Sequence, residues 1–179
     1  MLSKSLPQSL SLRAALAGTV IAGAAFALAQ PAAAQLGSDA AACRSGNASA
    51  VLVTVNGFRQ RTGNVRVAIY GSDPRRFLAR GQTLRKVNVP VTRAGPMRIC
   101  VALPSPGRYA VAVRHDVNGN NRSGDWSDGG GFSRNPRVSL TNLRPRYDNV
   151  AINVGRGVTQ IGVVLNYRFG LAIRPVRAG

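Results

Sequence analysis

The sequence predicts an all-β protein, an antiparallel β-sandwich of about seven strands. Three observations predict it. Short Val/Ile-rich runs alternate apolar and polar residues with a period of two, the pattern of half-buried strands. Gly, Pro and Asn punctuate the runs. Helical patterning is confined to Pro74–Arg80, so the repeated helical crossovers of a parallel sheet have no room.

The elements follow in order. Residues 35–49 are small and polar and read as an extended lead-in, held by Cys43. Val51, Val53 and Val55 form the first strand, which Gly57 ends. Val65, Val67 and Ile69 form the second, after the turn signal Thr62-Gly63-Asn64. Val87, Val89 and Val91 form the third, beyond the helical link. Met97, Ile99, Val101 and Leu103 form the fourth, and Tyr109, Val111 and Val113 the fifth. Val150, Ile152 and Val154 form the sixth; Ile161, Val163 and Leu165 form the seventh. The sandwich then spans 50–167 and leaves 168–179 as a C-terminal tail.

Residues 1–34 are read as a signal peptide and excluded from the fold. Lys4 and Arg13 give a positive start, Ala14–Ala29 is small and apolar, and Ala32-Ala33-Ala34 offers a cleavage site after Ala34. The apolar run is shorter than the roughly 20 residues that span a bilayer. No later segment is long and apolar enough to span one as a helix. The expected compartment is the periplasm or the exterior. There the two cysteines, Cys43 and Cys100, are expected to pair; two free thiols are the alternative. Cys100 is out of phase with Ile99 and Val101, so a bridge would strap the lead-in across an outer face or an edge.

The charge is one-sided. Lys+Arg is 24 against Asp+Glu 6, a formal net charge of +18, and all the acids are Asp. Loss of Lys4 and Arg13 on cleavage lowers it by two. With one His and two Cys, no zinc site of the usual composition can form, and without Glu no Glu pair can run glycoside hydrolysis. Such a charge first suggests nucleic acid. Export makes that partner unphysiological and redirects the charge to anionic envelope components: lipid headgroups, lipopolysaccharide or acidic polysaccharide. Arg suits bidentate contact with phosphate and carboxylate.

One loop could carry chemistry. His115–Ser133 holds three of the six Asp and the single Trp. Asp116, Asn118 and Asn120 have the first, third and fifth positions of a calcium loop. Asn121 stands where such loops place Gly, Ser127 where they place Glu, and Asp125 and Asp128 lie near but off register. Calcium is the cofactor this half-motif would take; Asx-turn chemistry is the structural alternative. His115 and Asp116 are neighbours on a strand, so they face opposite ways and form no dyad. Ser133 belongs to no G-x-S-x-G elbow. No catalytic residue is assigned. Trp126 and Phe132 are expected to pack as a small cluster under the loop. Gly129-Gly130-Gly131 lacks the Lys and helix of a phosphate loop and reads as a flexible turn.

Three segments resemble a family of exported bacterial proteins, domain of unknown function 2141. They are N-G-F-R-Q-R-T-G-N-V-R-V-A-I-Y (56–70), L-P-S-P-G-R-Y-A-V-A-V-R-H-D-V-N-G-N (103–120) and G-F-S-R-N (131–135). The resemblance covers about 50–165. It implies a transthyretin-like (prealbumin-like), immunoglobulin-like sandwich behind a signal peptide, and no activity. That family's pattern carries Gly where Asn121 stands and an acid near Gly124. The functional expectation is a non-catalytic binding or structural module at the cell envelope. A calcium-binding module is the alternative, and an enzyme using His115 the second.

Overall fold

The computed structural model describes residues 34–122 and 124–176. The expected signal peptide lies outside them, apart from Ala34. Two sheets face each other around one core. The first contains β1 (Gln35–Leu36), β2 (Ala50–Asn56), β5 (Met97–Ala102) and β9 (Val158–Val164), in the order β1-β5-β2-β9. The second contains β3 (Asn64–Tyr70), β4 (Arg85–Pro90), β6 (Gly107–Asp116), β7 (Gly129–Phe132), β8 (Ala151–Val154), β10 (Asn166–Phe169) and β11 (Ala172–Pro175). Its order is β11-β10-β7-β6-β3-β4, with β8 paired to β6. Among the described residues no helix is long and apolar enough to cross a membrane.

The alternation read from the sequence sets the inner faces. Val51, Val53 and Val55 meet Val65, Val67, Ile69, Val111 and Val113 in one buried cluster. Val87, Val89, Ile99, Val101 and Val163 extend it. Each fully buried side chain of this size contributes about 1.5–3 kcal/mol, so the cluster dominates stability.

The lead-in is not extended throughout. Ala40–Ser45 forms a short helix, α1, and only Gln35–Leu36 is strand. The run Ala40-Ala41-Ala42 favours helix, and Gly46 ends it in the left-handed region at φ 68°. Asp39 anchors the segment by accepting a 3.0 Å bond from the Ala102 amide. The disulfide Cys43–Cys100 forms. With Ala50 and Leu52 it makes a second small core on the outer face of the first sheet. That cover explains why β2 is buried on both faces.

Four further expectations change. The sandwich is not purely antiparallel: β2 pairs with β9, and β1 with β5, in parallel. β9 runs that way because the chain leaves β8 in the other sheet and turns over at Gly155–Gly157. Gly129–Gly131 is not a flexible turn but part of strand β7. Residues 168–175 are not a tail outside the sandwich, since β10 and β11 form a hairpin that extends the second sheet. The Pro74–Arg80 link shrinks to a 3-10 turn, Pro74–Arg76, capped by Asp73 Oδ1 accepting from the Arg75 amide. Leu78, at φ 57°, breaks the helical path just beyond it.

Candidate functional site: an outer sheet face and the Asp116 loop

The outer face of the second sheet is covered at one end only. There α2 (Tyr147–Val150) packs Tyr147 and Val150 on Tyr70, Ala110 and Ala151, with Phe77 and Phe132 alongside. Beyond this cluster the period of two brings Arg66 and Ala68 of β3, and Ala112 and Arg114 of β6, to the same face. Register then sets two rows. Lys86, Ala68, Ala112 and Phe132 stand abreast, and next to them Asn88, Arg66, Arg114 and Gly130.

Small residues at the centre leave a groove of about 870 Å³. Ala68, Ala112 and Gly130 line its floor, and Tyr70, Leu78, Phe132 and Leu143 supply apolar surface. Arg66, Arg85, Lys86, Arg114 and Arg144 also line it, and none of its described lining residues is acidic. A second hollow, about 290 Å³, adjoins it and shares Arg114, Gly130, Phe132 and Leu143.

Arg66 and Arg114 lie directly opposite each other in the β3–β6 register. Like charges so placed destabilise a sheet. Their relief within the chain is partial. Arg66 donates to the Asn121 side-chain oxygen at 3.0 Å. Arg114 bonds one oxygen of Asp116 at 3.2 Å, while its Nε is buried without a partner among the described residues. Arg85 reaches Asp39 at 3.6 Å.

Between β6 and β7, the Asp116 loop touches the groove only at Gly124 among the described residues. Asp116 is buried, and its Oδ2 accepts from the Asn121 amide at 2.8 Å. Gly119 and Asn121 take left-handed φ values of 70° and 62°. Asn118 Oδ1 accepts from the Asn120 amide, and Asn120 Oδ1 from the Arg122 amide, the Asx turns expected as the structural alternative. Both Asn side-chain amides donate to Asp125 Oδ2, at 2.8 and 2.6 Å. These bonds, that from Asn118 foremost, lower the Asp125 pKa. Asp128 Oδ1 accepts from the Val117 amide at 3.2 Å. Burial raises the Asp128 pKa, and the Asp116 charge adds to the rise.

Asp116 Oδ1 and Asp128 Oδ2 are both buried without a partner among the described residues. Yet among the described residues no three His, Cys, Asp or Glu side chains are grouped to hold a metal. The five residues of the expected metal set therefore share a loop, but their acids do not converge on one point.

The other candidates are spent on structure. His115 faces the core, away from Asp116, and is fully buried. Its Nε2 lies 2.8 Å from the Thr62 carbonyl, which can only accept, so Nε2 carries the proton. Nδ1 then accepts from the Tyr167 hydroxyl at 2.6 Å. Burial lowers the His115 pKa and pushes Tyr167 up to about 12. Ser133 is buried; its hydroxyl donates to the Val150 carbonyl and accepts from the Val111 amide.

Phe132 packs edge-on to Phe77, in the cluster beside α2 and not with Trp126 under the loop. Trp126 is 70% exposed, and the Arg168 guanidinium stacks 3.4 Å over its ring. Trp126 instead lines the second hollow, with Val138, Leu140 and Ile173.

These same strands and this loop carry the comparison with known proteins. A family model described as "Uncharacterized protein conserved in bacteria (DUF2141)" matches residues 53–162. The chain belongs to this family. No curated protein and no solved structure matches it. The DUF2141 match includes the Arg66–Arg114 row and the whole Asp116 loop. It excludes Cys43, so the disulfide joins the DUF2141 region to the segment before it.

The basic groove was missed at the sequence level. Its signal is present in the strand strings R-V-A and A-V-R, residues 66–68 and 112–114. Only the cross-strand register shows that they share a face and lie side by side.

Proposed function

We propose that this DUF2141 chain is an exported, non-catalytic β-sandwich that binds an anionic component of the cell envelope. One observation carries the reading: a groove whose lining includes five cationic residues and no described acidic one. Its charge and volume suit an anionic ligand of lipid-headgroup or oligosaccharide size. The signal pattern at 1–34 supports export to the periplasm or beyond. The structural duties of His115 and Ser133 support the absence of catalysis, because neither has a free polar atom to offer a substrate. The test is retention of the chain from Gln35 on immobilised lipopolysaccharide, acidic polysaccharide and anionic vesicles across a salt series. Retention on at least one anionic surface, falling steeply with salt, is expected. Equal retention on neutral vesicles overturns the reading.

A second reading is favoured by the two orphaned oxygens, Asp116 Oδ1 and Asp128 Oδ2. Buried carboxylate oxygens without donors are costly, and a hard cation such as calcium relieves that cost. In this reading Asp116 and Asp128 bind the ion, and Asn118, Asn120 and Asp125 close the loop over it. Thermal melts in millimolar calcium and in chelator decide it. A higher midpoint with calcium is expected, and an unchanged one ends this reading.

A further inference from the structure

We propose that the basic groove is a docking face for an anionic phospholipid bilayer, with a headgroup phosphate seated between Arg66 and Arg114. This rests on the reading above and names which anionic component is bound. The two arginines oppose each other across β3 and β6 with their mutual repulsion only partly relieved. A phosphate between them accepts from the exposed guanidinium nitrogens of Arg66 and Arg114 and offsets their repulsion.

The rims favour a bilayer over a soluble polyanion. On the β4 side stands Leu84, 46% exposed and followed by Arg85 and Lys86. Leu143 is 53% exposed and followed by Arg144. It lines both the groove and the hollow over β7, β10 and β11, so it stands on the opposite rim. Each rim thus pairs a bare leucine with adjacent cations, the arrangement in which apolar side chains enter the acyl boundary while cations meet headgroups. A polysaccharide gives the leucines nothing to enter.

The experiment measures partitioning onto phosphatidylcholine vesicles with and without phosphatidylglycerol. The wild-type chain from Gln35 is compared with three variants. The first carries Arg66→Gln, Lys86→Gln and Arg144→Gln. The second carries the same number of changes at exposed cations outside the groove: Arg44→Gln, Arg93→Gln and Arg156→Gln. The third carries Leu84→Ser and Leu143→Ser. Each cation held at an anionic surface is worth about fivefold, so the groove variant should partition roughly a hundredfold more weakly. The control variant should lose less than about tenfold, since its charges stay within distant, screened solvent. The leucine variant should lose the binding that survives high salt.

Equal losses in the groove and control variants overturn the docking face while leaving the anionic reading intact. Groove-dependent binding to acidic polysaccharide without binding to vesicles does the same. A leucine variant indistinguishable from wild type at high salt also overturns it. If the wild type binds no anionic surface, both readings fall. Circular dichroism of each variant confirms that the sheet is kept.

Discussion

Tyr167 in β10 donates its hydroxyl to Nδ1 of His115 in β6, across 2.6 Å. The two strands are not neighbours, since β7 lies between them. The bond therefore reaches beneath β7, through the space that Gly129 leaves open, and ties three strands together from the core side. Tyr167→Phe leaves Nδ1 buried without a donor. A loss of about 1–3 kcal/mol in urea unfolding is expected. A loss below a few tenths would show that the bond carries little net weight.

The same hydroxyl sets an alkaline limit. Its folded pKa of about 12 lies above the ordinary value of 10.0, because burial disfavours the phenolate. The fold binds this proton more tightly than the unfolded chain does. The resulting stability is fully present below pH 10 and is lost as pH rises through 12. Urea midpoints should fall over that range, and fall less in Tyr167→Phe. Tyr147, also raised by burial, leaves a residual slope in the variant.

The glycines of β7 are not equivalent. A Cβ on Gly131 would stand 2.6 Å from the Val164 carbonyl oxygen, whereas one on Gly130 meets only the Val113 carbonyl, at 3.7 Å. Gly131→Ala should cost about 1–3 kcal/mol through overpacking. Gly130→Ala should be neutral or slightly stabilising, because alanine gives up less backbone entropy in a strand. Reversal of that order would show that β7 does not lie against β9 as described.

Removing the disulfide tests the strap. Cys43→Ala with Cys100→Ala should lower stability by about 2–4 kcal/mol. The bridge closes a sequence separation of 57 and holds α1 over Leu52. The measurable signature is a lower thermal midpoint that reductant no longer changes.

Strands with Val or Ile at alternate positions were legible, which covers β2 to β6, β8 and β9. β7 was not, because Gly129–Gly131 shows no side-chain period; its glycines answer to Tyr167 and Val164, far away in sequence. β10 and β11, four residues each, were too short to separate from a tail. α1 is six residues long, less than two turns, so its period could not show. The Asp116 loop was legible as a cluster of oxygen ligands, but where each carboxylate points depends on Asn121, Val117 and Arg114. The groove was illegible for a simpler reason. Its walls come from five stretches of chain that only the register brings together.

The cysteine bridge has one last effect, on the symmetry of the molecule. A two-sheet sandwich has two outer faces, and α1, pinned by Cys43, covers part of one of them, over Ala50 and Leu52. The other keeps alanines, a glycine and two facing arginines at its centre. The chain thus has a strapped back and an open front. An anchor attached to the back, for example at Arg44, would orient every copy with its cations outward, whereas random coupling through basic side chains would blind the front.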